Sequence, residues 1–189
     1  MTRHRLAILA LTAAAQSAHA QSVTITASHN DPDGIVAPGQ LVSIRLSIAH
    51  DGFFMLGDWR GDAAASPDIG TASPAQSSTL APSSLVSLGT PTAGSIRNVV
   101  IGATSPFFSP GPYVPFAAPD FEFMRYDWVA PAQPGTVAFD WVPDPAFPLV
   151  QGYQTALSIP LIPYPTTYLG TTLTVIPAPA AAPLLLAAA

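Results

Sequence analysis

The sequence predicts an all-β protein, an antiparallel β-sandwich built around one hydrophobic core. Three observations support this prediction: short runs alternate apolar with polar residues, turn sequences separate the runs, and prolines are spread along the chain. The 189 residues include 22 prolines and 13 glycines. Because a proline inside a helix costs about 3 kcal/mol, long helices are excluded from the body of the chain. We expect less than about 10% helix there.

The individual strands follow from the period-two alternation that is typical of half-buried β-structure. The predicted strands are residues 23–27, 41–48, 121–129, 136–142 and 170–175. The residues predicted to face inward are Val23, Ile25 and Ala27 in the first strand, Val42, Ile44, Leu46 and Ile48 in the second, and Val137, Phe139 and Trp141 in the fourth. A complete sandwich has roughly 7 to 9 strands, so other strands remain to be found.

Turn chemistry separates these runs. Proline and glycine lie together at 30–34, 37–39 and 133–135, and residues 49–52 also have turn composition. Asp, Pro and Gly favour tight turns because they fix or relax the backbone angles that turns need. Short helical turns are expected only at 63–65 and 83–88.

Composition excludes several classes of function. The formal net charge is −5 and all six basic residues are arginines, which argues against a nucleic-acid-binding protein because such proteins need a basic patch. The absence of cysteine excludes disulfides, thiolate metal sites and a cysteine nucleophile. The absence of lysine excludes phosphate-loop and Schiff-base chemistry. We expect no cofactor.

Residues 1–20 have the organisation of a secretory signal peptide, which is expected to form a helix. Arg3 and Arg5 precede the apolar run 6–15, and a small-x-small cleavage sequence ends at Ala18 and Ala20. Signal peptidase is therefore the expected partner, with Gln21 as the first residue of the mature chain. The alternative is an amphipathic helix that packs on the body. The prediction is export to the cell surface or the extracellular space.

The C-terminal segment 177–189 is apolar and carries no charge. The sequence Val175-Ile-Pro177-Ala178-Pro179, followed by an Ala/Leu-rich stretch, resembles the sorting tail of PEP-CTERM proteins in a Pro-Ala-Pro form. The resemblance implies recognition by an exosortase-type membrane protease, transient membrane association and delivery to the surface or extracellular matrix. Ala178 replaces the usual glutamate of the family, and the apolar stretch is shorter than about 20 residues, so it cannot span a bilayer. The alternative is that this segment packs into the core.

The body, residues 21–176, carries four arginines and 11 acidic residues, a net charge of −7. Its opening strand, the turn at 37–40 and the second alternating strand resemble cohesin-like and immunoglobulin-like surface modules. The resemblance implies a sandwich with a binding or structural role.

Few residues in the sequence are candidates for a metal, ligand-binding or catalytic site. Asp31 and Asp33 could begin a calcium loop, but the ligand pattern is incomplete, and a turn stabilised by their side chains is the alternative. An aromatic row of Trp59, Trp128 and Trp141, or the loop 105–119, would fit an extracellular polysaccharide. Glu122 is the one glutamate; period two places it on the face of Tyr126 and Trp128, opposite Asp127.

Three functions remain open at this point. The first is a non-enzymatic exported surface or matrix protein without catalytic residues or a metal site. The second is a carbohydrate-binding module that uses the tryptophans. The third is a secreted hydrolase centred on Glu122 with an Asp partner, which requires two carboxylates about 5 to 10 Å apart across a cleft. The alternative role of Glu122 is a solvated strand residue paired with Arg125 or Arg97.

Overall fold

The computed structural model describes residues 22–51, 55–77, 85–102, 121–153 and 162–177. Within these ranges every regular element is a β-strand, so the all-β prediction is confirmed. No helix in this part of the chain is long and apolar enough to cross a membrane. The expected signal helix, the loop 105–119 and most of the apolar tail lie outside the described residues.

In chain order, the strands of the described residues are β1 (Ser22–His29), β2 (Ile35–Val36), β3 (Leu41–Asp51), β4 (Met55–Ser66), β5 (Thr71–Ala72), β6 (Leu85–Ser87), β7 (Thr90–Pro91), β8 (Ile96–Gly102), β9 (Phe121–Val129), β10 (Gly135–Pro143), β11 (Gln151–Tyr153), β12 (Ile162–Pro163), β13 (Thr166–Leu169) and β14 (Thr171–Val175).

These strands form two sheets. The five-stranded sheet has the order β13-β1-β3-β9-β5, and β3 is antiparallel to both of its neighbours, β1 and β9. In the nine-stranded sheet, β4 lies at the centre: β10 and β11 pair with one edge, and β8 pairs with the other. Two parallel pairs, β1 with β13 and β14 with β2, bring the chain ends into the sheets. The sandwich is therefore mainly antiparallel.

The predicted strands at 23–27, 41–48, 121–129, 136–142 and 170–175 are all present, and the predicted inward residues are buried. The second strand is longer than expected, because β3 continues through His50 to Asp51, where the sequence predicts a turn. At the predicted turns, Gly34 and Gly39 have φ values of 70° and 78°. These are left-handed conformations that glycine adopts without strain.

The sequence does not predict β4, which lies at the centre of the larger sheet. Its inward positions include Trp59, Gly61, Ala63 and Ala65, and the expected helical turn at 63–65 is wrong. The helical turn expected at 83–88 is also wrong in its described part, where Leu85–Ser87 form the strand β6. Gly61 leaves room for the indole ring of Trp141. A Cβ atom on Gly61 would lie 2.3 Å from the carbonyl oxygen of Val142 and 2.9 Å from the indole ring of Trp141.

Aromatic rings fill the space between the two sheets. The Phe123 ring makes edge-to-face contacts with Trp59 and Trp141, with ring centroids 5.6 Å and 5.5 Å apart. Trp128 and Phe139 make a third such contact at 5.1 Å. Edge-to-face pairs stabilise the fold beyond the contribution of the area that each ring buries. These five side chains therefore form the centre of the core.

Candidate binding surfaces

The tryptophans singled out from the sequence lie in the core. Trp59, Trp128 and Trp141 are 2%, 0% and 2% exposed. The prediction that they form a surface row for a polysaccharide is therefore wrong, because buried rings cannot contact a ligand. Each lies at an inward position of its strand, where an aromatic ring contributes the most burial energy.

Asp31 and Asp33 stabilise a turn. One carboxylate oxygen of Asp31 accepts a hydrogen bond from the Gly34 amide at 2.9 Å, and the other accepts one from the Gln40 side chain at 3.0 Å. Asp33 accepts a hydrogen bond from the Ile35 amide. Burial alone would raise the pKa of Asp31, but hydrogen bonds involving Asp33, Gly34 and Gln40 outweigh it and lower the pKa. Within the described ranges, no group of three or more His, Asp or Glu side chains is arranged to hold a metal ion.

Glu122 lies on the opposite face from the one predicted. The pairing of β3 with β9 shifts between Leu46 and Ser47, so that Met124 pairs with Leu46 but Glu122 pairs with Ser47. A β-bulge of this kind inserts one extra residue, and both Phe123 and Met124 are buried. Because the bulge reverses the alternation, Glu122 faces outward with Arg125 and Asp127.

The carboxylate of Glu122 lies between two arginines. Its two oxygens are each 3.8 Å from an Nε atom, one of Arg45 and one of Arg125. The predicted contact with Arg125 is present, and the contact with Arg97 is replaced by one with Arg45. Two arginines contact the Glu122 carboxylate where a glycosidase would need a second carboxylate across a cleft, so this geometry does not support the hydrolase hypothesis.

The outward side of β4 carries a row of charged residues, Asp58, Arg60 and Asp62. Arg60 donates to Asp58 at 2.7 Å, and its guanidinium lies 4.1 Å from the centre of the Phe147 ring. Hydrogen bonding to Asp58 raises the pKa of Arg60, and the charges of Asp58 and Asp144 act in the same direction. The guanidinium is thus a fixed cation that is held from two sides.

Asp62, the next outward residue of β4, contacts β8 rather than Arg60. One oxygen accepts a hydrogen bond from the Arg97 side chain at 2.9 Å, and the other accepts one from the Asn98 amide at 2.8 Å. The β4–β8 register shifts here, and Asn98 has a φ of 60°. Asn tolerates this left-handed conformation better than most residues, so Asp62 and Asn98 together fix a second bulge.

Arg60, Asp62 and Asn98 line a pocket of about 440 Å³ on the outside of the nine-stranded sheet. Its lining combines apolar and charged groups, and Val142, directly opposite Asp62 in the β4–β10 pairing, is 48% exposed. We call this surface the Arg60 face. It is formed by Arg60, Asp62, Asn98, Val142, Pro143 and Asp144.

A polar cluster that the sequence did not reveal joins the β4–β5 connection to the β7–β8 turn. Asp68 accepts hydrogen bonds from the Gly94 amide at 2.7 Å and from the Ser95 hydroxyl at 2.8 Å. Ser95 is fully buried and also accepts from the Ala65 amide at 2.9 Å. Burial alone would raise the pKa of Asp68, but these bonds, Thr92 and the charge of Arg97 lower it. A lone Asp in a Ser/Pro-rich stretch gave no signal for this role.

Comparison with known proteins identifies solved structures with a similar arrangement of sheets. No protein-family model matches the chain, and no curated protein matches it. The seventh ScaB type I cohesin from Pseudobacteroides cellulosolvens aligns over 87% of this chain and 95% of its own, with 11% identity and a TM-score of 0.53. CaCohA2, in its complex with CaDoc0917, aligns over 82% of this chain and 99% of its own, with 18% identity and a TM-score of 0.51. The body has a cohesin-like fold.

The cohesin-like body continues into the first residue of the sorting-like motif. Val175 is buried, pairs with Gly135 of β10 and Val36 of β2, and is thus part of the fold. The Ile176 amide donates to the Val36 carbonyl oxygen at 3.0 Å, and Pro177 is exposed. Ala18, Ala20 and Gln21 of the cleavage sequence, and Ala178 and Pro179 of the motif, lie outside the described residues.

Proposed function

We propose that this chain is a non-enzymatic, exported binding module that contacts a protein partner through the Arg60 face. The observation that carries the proposal is the cohesin-like sandwich. One of the similar structures, CaCohA2, was solved together with a second protein, CaDoc0917. A module of this kind would act in assemblies at the cell surface.

The chemistry of the Arg60 face supports a protein partner. Protein interfaces are enriched in arginine and aromatic residues, and their binding energy is concentrated in a few such anchors. Here Arg60 is held by Asp58 and Phe147, so little side-chain entropy is lost when a partner binds it. Val142 and Pro143 provide apolar area beside it.

The chemistry of the described residues also supports a role without catalysis. The carboxylates of Asp58, Asp62 and Asp68 are engaged in hydrogen bonds with arginines or with backbone and hydroxyl groups. Glu122 lies between two cations. A general acid or base must lie within hydrogen-bonding reach of a substrate, whereas these carboxylates contact groups of the protein itself and are arranged as structural groups.

We further propose that export and sorting use the two ends of the chain. Residues 1–20 would be removed by signal peptidase, and residues 177–189 would present the Pro-Ala-Pro motif to an exosortase-type protease. The exposed Pro177, directly after the last hydrogen bond to β2, is compatible with an extended peptide that a protease binds as a strand. The surface or extracellular matrix would be the destination.

Site-specific photo-cross-linking tests the Arg60 face. Benzoylphenylalanine would replace Val142 in the full chain, expressed in the producing cells, and Gln133 in an exposed turn would serve as the control position. We expect a discrete cross-linked protein from position 142 that is lost when Arg60→Ala is added. Equal products from both positions, or none from position 142, would show that the Arg60 face is not the contact surface.

A further inference from the structure

The four arginines of the body fall into two structural classes. Arg60 and Arg97 make short contacts to Asp58 and Asp62, at 2.7 and 2.9 Å, on the nine-stranded sheet. Arg45 and Arg125 lie on the outer side of the five-stranded sheet, and their ion-pair contacts are longer, at 3.8 Å. Among the arginines that the structure describes, these two are therefore the ones held least tightly by carboxylates of the protein itself.

Arg45 and Arg125 face each other directly. They are register partners in the antiparallel pairing of β3 with β9, and their side chains are 49% and 47% exposed. Like charges directly opposite each other in a sheet are destabilising, because facing Cβ atoms lie only about 5 Å apart. Glu122 lies beside both guanidinium groups and offsets part of this repulsion, but one positive charge remains in the group of three.

Both guanidinium groups have donors beyond their ion-pair contacts. Each carries five N–H donors, and within the described ranges the contacts of the two side chains are the ion pairs with Glu122 at 3.8 Å. A shallow pocket of about 250 Å³ borders Arg125. Ser43, Ser73 and Gln76 add hydroxyl and amide groups to its wall, and Asp127 lies on the same wall.

We propose that Arg45 and Arg125 form a docking point for a single carboxylate side chain of an acidic protein partner. A carboxylate matches the planar fork of a guanidinium and can be held bidentately. The body as a whole is strongly acidic, with a net charge of −7, so it repels a negatively charged partner at long range. Local attraction at this pair would orient the encounter.

The surroundings favour a protein side chain over an acidic polysaccharide. Asp127 beside Arg125 would repel the successive carboxylates of a polyuronate, but it can accept a cation that neighbours one glutamate on a protein surface. The large apolar side chains that are exposed in the described ranges are aliphatic, so an aromatic platform for sugar rings is not among them. This surface lies on the sheet opposite the Arg60 face, so the two proposals can fail independently.

The test uses NMR on the full mature chain with a defined probe, the peptide Ac-Gly-Glu-Gly-Lys-Gly-amide. At low salt we expect the Nε–H signals of Arg45 and Arg125 to shift in a saturable way while those of Arg60 and Arg97 do not. The double variant Arg45→Gln/Arg125→Gln should weaken binding about tenfold or more. A control variant, Gln133→Glu/Thr172→Glu, makes the same change in net charge at exposed positions away from the pair and should leave binding nearly unchanged.

Three results would overturn the proposal. A peptide with Gln in place of Glu could shift the same signals equally, which would show that the carboxylate is not recognised. The control variant could weaken binding as much as the arginine variant, which would reduce the effect to a long-range field. Trigalacturonate could bind more tightly than the peptide, which would assign the surface to a polysaccharide.

Discussion

Removal of one buried hydroxyl, Ser95→Ala, should destabilise the fold more than its size suggests. The Ser95 hydroxyl donates to the Asp68 carboxylate at 2.8 Å and accepts from the Ala65 amide at 2.9 Å. The backbone pairing of β4 with β8 ends at Ala63 and Ile96, so the side chain of Ser95 takes the place of the next backbone acceptor. The substitution therefore breaks a bond between elements that are distant in the chain.

The expected cost follows from these two bonds. A hydrogen bond to a charged group contributes about 1.5 to 3 kcal/mol, and a buried amide left without an acceptor costs about 1 to 3 kcal/mol. Since the two effects share one side chain, we expect a total of about 2 to 4 kcal/mol rather than their full sum. In a domain of this size that corresponds to a fall in Tm of roughly 4 to 16 °C.

Urea unfolding, followed by the fluorescence of the buried tryptophans, measures this loss. The matched control is Thr92→Val, because the exposed Thr92 hydroxyl belongs to the same cluster and contacts Asp68 at 3.1 Å. We expect the control to cost less than about 1 kcal/mol. The reasoning is refuted if Ser95→Ala costs less than the control. A double-mutant cycle with Asp68→Asn should also show coupling between Ser95 and Asp68.

Two further predictions concern acid stability and the tail. Asp31 and Asp68 have lowered pKa values in the folded state, so they stabilise the fold above the unfolded pKa of about 3.9. This contribution is lost as the pH falls through their folded pKa values, and Asp68→Asn should reduce the pH dependence of urea unfolding below pH 4; an unchanged profile would contradict this. Deletion of residues 180–189 should leave the melting temperature unchanged but alter retention at the cell surface, whereas a large loss of stability would mean that this segment belongs to the core.

Strands with strong alternation could be predicted from the sequence because their pattern is local. In β1, β3 and β10, branched or aromatic residues alternate with polar ones, and a period of two is sufficient to assign their inward faces. Proline and glycine at 30–34 and 37–39 likewise specify turns through their own backbone preferences. These features predict the sandwich and its cohesin-like character without tertiary information.

The central strand β4 could not be predicted in the same way. Its inward residues Gly61, Ala63 and Ala65 have low β-propensity. The absence of a side chain at Gly61 is explained only in the folded protein, where the Trp141 ring and the Val142 carbonyl group lie against it. The alternation of Asp58, Arg60 and Asp62 with small residues is present in the sequence. Asp and Gly also favour turns, however, so the local pattern indicates turn chemistry as readily as a strand.

The faces of Glu122 and of the tryptophans were decided by tertiary structure. A bulge opposite Leu46 and Ser47 moved Glu122 to the outer surface between two arginines, although period two placed it with Tyr126. Amphipathic aromatic residues such as Trp59 can lie in a core or on a surface. Trp59 is buried because the second sheet packs over it. The sequence by itself determined which segments become strands, because alternation depends on near neighbours. The side chains that meet across strands, and hence the sites, depended on register and bulges, which only the pairing of distant segments fixes.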